Sequence, residues 1–184
     1  MTTKTTKKSS VPSPKLTDLP PNPFQSEILE LVSKARTRVK KIELLKLHRN
    51  EALVSLLIWN FDDTVFSMLP EGTVPYTPNE SPEGTEHTML AMEAKKLWHF
   101  IRGADRQTKQ HQKEVMFFQM LEGLHESEAK LLIAAKDKKL HRMYKGLSAN
   151  VVQEAFGWDE NFVVPEPDVY PQASRSASGL VADA

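Results

Sequence analysis

The sequence predicts an all-α fold: a compact bundle of about seven short helices with a long proline-rich ordered loop and disordered termini. Two observations carry that prediction. Apolar residues recur at i, i+3, i+4 and i+7 through most of the middle of the chain, and no run of β-branched residues alternates as a strand does. Prolines and glycines gather in one internal stretch, residues 62–87, and prolines again near both ends. The expected organisation is a disordered basic tail over residues 1–21, a helical domain over 22–162 and a disordered acidic tail over 163–184.

The first helix is expected to open at Asn22 as cap, with Pro23 at the first helical position and Gln25 completing a capping box. Ile28, Leu31, Val32 and Ala35 then form one apolar stripe. Thr37 suits the cap of a second helix burying Val39, Ile42, Leu45 and Leu44, although one continuous helix is equally compatible with the pattern. Asn50 suits the cap of a third, with Leu53, Leu56, Leu57 and Phe61 inward. Pro70, Gly72, Pro75, Pro78, Pro82 and Gly84 then interrupt the periodicity. Because that stretch also carries Val65, Phe66, Met68, Leu69, Val74 and Tyr76, it reads as a loop pinned across the helical body. Helical spacing resumes with Leu90, Ala94, Leu97 and Ile101, up to Gly103, and then with Val115, Phe118, Leu121 and Leu124. Ser127 is the expected cap for a helix burying Leu131, Leu132, Ala135 and Leu140, stopped at Gly146. Ser148 caps the last, with Val151, Val152, Ala155 and Phe156 inward.

Composition excludes several classes of chemistry. Hydrophobic residues make up 40% of the 184, enough for a core, and 26% are charged. The absence of cysteine rules out disulfides, a thiolate nucleophile and cysteine-ligated zinc or iron–sulfur centres, and fits a reducing cytosol. The longest apolar run, Leu131 to Ala135, is far too short to span a bilayer, and Met1 to Ser10 lacks the apolar core of a signal peptide. Net charge is zero but uneven: residues 1–22 carry +3 and residues 159–184 carry −4. Such a distribution either steers a partner or leaves two solvated tails.

No nucleotide loop, nucleophile elbow or zinc motif is present, so no enzyme and no cofactor are expected. Of the six histidines, no two stand three or four apart on one helix, and His125 with Glu122 is the best local pair. Asp62-Asp63-Thr64 begins like a calcium loop but lacks its glycine and closing glutamate, which leaves a turn. Two basic groups stand out. Lys34, Arg36, Arg38, Lys40, Lys41, Lys46 and Arg49 fall together with only Glu43 as an acid. Lys136, Lys138, Lys139, Arg142 and Lys145 are opposed by Asp137 alone. On one face, Arg36, Arg38, Lys40, Lys41, Lys46, Arg49, Lys138, Lys139 and Arg142 could bind nucleic-acid phosphates; otherwise they are solvated helix surface. Trp59, Trp98 and Trp158 read as core or loop anchors. Pro75, Tyr76 and Pro78 form a stiff aromatic segment suited to docking on a partner protein, or to clamping the chain's own helices.

The run Leu69-Pro70-Glu71-Gly72-Thr73-Val74-Pro75-Tyr76-Thr77-Pro78-Asn79 resembles a motif of small proteins of T4-like tailed phages, including those infecting cyanobacteria. Phe118 to His125, Ala134 to Leu140, Tyr144 to Leu147, and Glu154-Ala155-Phe156 with Trp158 resemble the same family, over roughly residues 24–162. Most such proteins have no known function, and some similar ones are labelled RNA polymerase-binding proteins. The resemblance implies a phage accessory protein that acts in the host cytoplasm by binding another protein, host RNA polymerase or the phage replication and transcription machinery. It brings no catalytic residues. A nucleic-acid-binding protein and a virion component are the alternatives.

Overall fold

A computed structural model describes residues 19–79, 82 and 87–157, so both expected tails and Trp158 lie outside the described residues. Eight α-helices and one 3-10 helix occur among them: α1 (Gln25–Lys34), α2 (Arg38–Leu47), α3 (Glu51–Phe61), α4 (Leu90–Glu93) continuing into the 3-10 helix Ala94–Phe100, α5 (Gln110–Gly123), α6 (Glu126–Lys136), α7 (Leu140–Met143) and α8 (Ala149–Phe156). The class is all-α, as the periodicity predicts. Within the described residues, extended pairing is confined to two isolated bridges, Ser67 with Ile101 and Asn79 with His125. No helix there is long and apolar enough to cross a membrane.

Helix α1 starts later than Asn22 and Pro23 suggest. Its cap is Phe24, whose backbone N–H donates to Glu27 Oε2 at 2.8 Å, so Glu27 and not Gln25 closes the box. The start is displaced because the Phe24 ring is buried, stacked on His125 with centroids 5.0 Å apart. The stripe Ile28, Leu31, Val32 and Ala35 is buried as expected. Extended backbone at Ala35 separates α1 from α2, and Lys41 Nζ donates to Val32 O at 2.8 Å and Ser33 O at 3.0 Å, satisfying carbonyls that the end of α1 leaves free. Thr37 and Asn50 cap α2 and α3 through their side chains, at 3.3 Å to Lys40 N and 2.8 Å to Leu53 N. Val39 is 66% exposed, against expectation, because Lys41, Ile42, Leu44 and Leu45 define the buried face of α2 and Val39 falls on the other side.

The core centres on three rings. Trp59 stacks on Phe100 at 6.1 Å, and Phe117 meets both edge-on at 6.5 and 5.2 Å. This trio corrects the expected face of α5. Phe117, Met120 and Leu121 are buried, whereas Val115 is exposed and Phe118 only half-buried. Neighbouring aromatics on a helix point about 100° apart, so one must leave the core, and the fit against Trp59 and Phe100 selects Phe117.

Helix α6 packs against α1, α3, α5 and α7. Its cap is His125, not Ser127: the ring Nδ1 accepts from Ser127 N at 3.3 Å and meets Ser127 Oγ at 2.8 Å. Glu128, in its first turn, is fully buried and accepts from Gln25 N at 2.9 Å and Leu90 N at 2.7 Å, which joins the starts of α1 and α4 to α6. Leu140 belongs to the separate helix α7, because Lys138 turns left-handed at φ 56 and ends α6. Gly146 turns at φ 79, where an added Cβ would lie 3.0 Å from Lys41 Cε. Ser148 holds the cap position of α8 without a side-chain bond to it, and α8 packs along α2.

Candidate functional site

Residues 62–79 cross the helical body as a strap fastened at successive points. Asp62 Oδ1 accepts from Thr64 N at 2.8 Å and Thr64 Oγ1 at 2.7 Å, the turn that the two aspartates suggested. The bridge at Ser67 adds Met68 N to Phe100 O at 2.7 Å and Arg102 N to Phe66 O at 2.9 Å. Gln110 Nε2 donates to Met68 O at 2.7 Å. At the centre, the buried Lys136 ammonium donates to Pro70 O at 2.7 Å and Gly72 O at 3.4 Å and pairs with Asp137. Asp137 Oδ2 accepts from Gly72 N at 3.2 Å, and Lys139 bridges Asp137 at 3.2 Å and Glu71 at 3.3 Å. Gly72 itself sits at φ 104, a conformation that only glycine adopts cheaply.

Burial raises the Asp137 carboxyl, but hydrogen bonds from Lys136 and Lys139, the Lys136 charge and the Gly72 amide outweigh it, so it titrates below its ordinary 3.8. Asp105 is lowered too, by His99 first and then by the Thr108 side chain and the backbone amides of Thr108 and Gln107. A carboxylate with a depressed folded pKa contributes stability above its unfolded value and loses it as pH falls through the folded one. The urea midpoint is therefore expected to be insensitive to these two groups above about pH 5 and to fall below the ordinary 3.8 of Asp137. Asp137→Asn should make that acid limb shallower; an unchanged limb would show that the latch contributes nothing to it.

The three strap residues expected at a partner interface separate into two roles. Tyr76 is half-buried against the core, with its N–H donating to Val74 O at 3.0 Å. Burial and the Glu126 carboxylate raise its phenol, while Lys130 opposes them. Pro75 and Pro78 are exposed. Beyond Tyr76, Thr77 N reaches Glu122 Oε1 at 3.5 Å and Asn79 bridges His125. A groove of about 210 Å³ opens on one side of the strap, lined by Leu69, Val74, Pro75 and Phe118 among others. Another of about 310 Å³ opens by Thr73, Ile133 and Ala134. Thr73 borders both.

The basic residues are dispersed in their roles. Lys41 turns its ammonium inward, where burial lowers its pKa, and it also donates to Lys145 O at 3.2 Å, so the two groups meet there as structure. Arg38 pairs with Glu154, and Arg49 lies 5.7 Å over the Phe156 ring. Lys139 belongs to the latch, and Lys138 donates to Asp62 O at 2.6 Å. Lys40 is half-buried; Arg36, Lys46 and Arg142 are exposed.

A cleft of about 610 Å³ between α1 and α6 is lined by Ser26, Glu30, His125, Ser127, Lys130 and Tyr144, among others. Its Ser26 and Ser127 hydroxyls bond at 2.9 Å, and the Tyr144 phenol is pushed up to about 12 by burial and by Glu30 and Glu128. His125 and Ser127 close the helix cap described above. Among the described residues, no three metal-binding side chains gather. Sequence reasoning assigned no site role to Thr73, Ile133 and Ala134 of the grooves, placed Phe118 in the core, and read Lys136 and Asp137 as part of a basic run and not as a latch. Only the adjacency of Phe117 and Phe118, which cannot both face inward, signalled any of them.

No curated protein and no solved structure matches the chain. The model of a family of unknown function, DUF6433, matches residues 28–142, which include the strap, its latch and both grooves, and the chain belongs to that family.

Proposed function

We propose that the protein is a non-enzymatic binding protein whose strap and flanking grooves take up a segment of another protein. The observation that supports this reading is a proline-containing segment held in place by the buried Lys136–Asp137 latch, with an apolar groove on either side. A surface ordered in advance loses little conformational entropy on binding. Each apolar side chain that leaves water in such a groove contributes about 1.5–3 kcal/mol. Pro75 and Pro78 lie on the outer surface, while Tyr76 packs against the core. The resemblance to T4-like phage proteins makes host RNA polymerase, followed by phage replication proteins, the first partner to test in the cytoplasm of infected cells.

Thr73→Arg tests the reading, because it places a long cation between the grooves and replaces none of the latch residues. Against purified RNA polymerase or a partner recovered from infected cells, binding should fall at least about tenfold, for loss of one apolar contact. The thermal midpoint should be unchanged. Equal binding by wild type and variant would exclude the strap as the interface.

A further inference from the structure

An exposed aromatic and cationic surface lies on another part of the molecule. Phe66 is 53% exposed, and two cations stand over its ring, Arg102 at 5.4 Å and Lys138 at 5.9 Å. Single exposed rings are ordinary. Here the surroundings are built around the ring. The loop after the 3-10 helix is tied to the Phe66–Met68 segment at both ends, by Arg102 N on Phe66 O at 2.9 Å and by Gln110 Nε2 on Met68 O at 2.7 Å. Arg102, Arg106 and Lys109 of that loop are all exposed. Its acid, Asp105, is buried, and its carboxylate accepts from Gln107 N at 2.9 Å and Thr108 N at 3.1 Å and meets His99 Nδ1 at 2.6 Å. The loop therefore turns its negative charge inward and its positive charges outward.

Lys138 adds a second cation. Its ammonium stands over Phe66 while donating to Asp62 O at 2.6 Å, which leaves further N–H donors for a phosphate. Asp63, exposed and 3.9 Å from that ammonium, marks one border of the patch. Trp98, 47% exposed and stacked on His99 at 3.8 Å, belongs to the turn that leads into Arg102.

We infer that this patch binds single-stranded nucleic acid, with an unpaired base stacking on Phe66 and Arg102 and Lys138 meeting the adjoining phosphates. A base on the ring replaces a cation–ring contact, and the released guanidinium then meets the phosphate. A duplex does not offer this contact, since its base faces are already stacked. Of the residues in the basic runs only Lys138 reaches this surface, while Lys41 is buried and Arg38 is paired.

Fluorescence anisotropy with short end-labelled oligothymidylate and oligouridylate tests the inference on the full chain. Binding at low salt should weaken as salt rises, with a slope of about −0.7 per phosphate engaged. Phe66→Ala should weaken it about tenfold and Phe66→Trp should keep it, because stacking needs a ring of any kind. Arg102→Gln should make the slope shallower by about 0.7. Thermal midpoints check that the variants fold, and Thr73→Arg should bind as wild type does. No binding at low salt, equal affinity for a duplex, or an unchanged affinity in a folded Phe66→Ala would each overturn the inference.

Discussion

Replacing Glu128 by glutamine should lower the free energy of unfolding by about 2–4 kcal/mol, and replacing it by alanine by about 3–5 kcal/mol. The carboxylate is fully buried, and its two oxygens serve different helices, Oε1 accepting from Gln25 N and Oε2 from Leu90 N. Glutamine keeps one acceptor but turns an NH₂ group against the other amide, donor against donor. Alanine leaves both amides without that acceptor and opens space at a fully buried position. For a domain of this size the loss corresponds to about 5–15 °C in thermal midpoint. Urea unfolding followed by circular dichroism measures it. A loss below about 1 kcal/mol in either variant would mean that water takes the place of the carboxylate.

The second large effect is expected at the latch. Lys136→Met should cost about 3–5 kcal/mol, since it removes one partner of a buried ion pair and the donor to Pro70 O and Gly72 O. Hydrogen exchange should show faster protection loss at Gly72 and across residues 69–79 than in the core around Trp59. Adding Asp137→Asn should recover part of the loss, because the buried carboxylate that has lost its Lys136 partner is then neutral. If the strap amides stay protected in Lys136→Met, the strap is held by its apolar contacts and the latch is incidental.

Much of the fold was legible in the sequence, for a physical reason. Thr37 and Asn50 cap through local side-chain bonds, and the stripes of α1 and α8 repeat at helical spacing, so both signals lie within a few residues. Where the deciding contact is distant, the reading slipped. Phe117 outranks Phe118 only because Trp59 and Phe100 wait across the core. His125 caps α6 in place of Ser127, while its ring stacks on Phe24 from another helix start. The candidate site was legible in outline, since the proline-rich run pointed to a distinctive segment. Its division of labour was left open: Tyr76 suits a partner or the chain's own helices in the sequence, and in the structure it packs inward. The basic runs show the same limit, because a lysine that binds carbonyls from inside, as Lys41 does, has the same one-letter code as one facing solvent.

The latch has a further consequence, for how the strap can vary. Lys136 and Asp137 hold Pro70 O, Gly72 O and Gly72 N, which are main-chain atoms. Anchorage by the latch therefore does not depend on which side chains stand at the exposed Thr73 and Pro75, whereas Val74 packs on the core. A new specificity can be written at those two exposed positions while the attachment stays the same, much as a cartridge is changed in a fixed holder. Strap sequences exchanged between family members at Thr73 and Pro75 should fold with wild-type stability and carry their own partner preference with them.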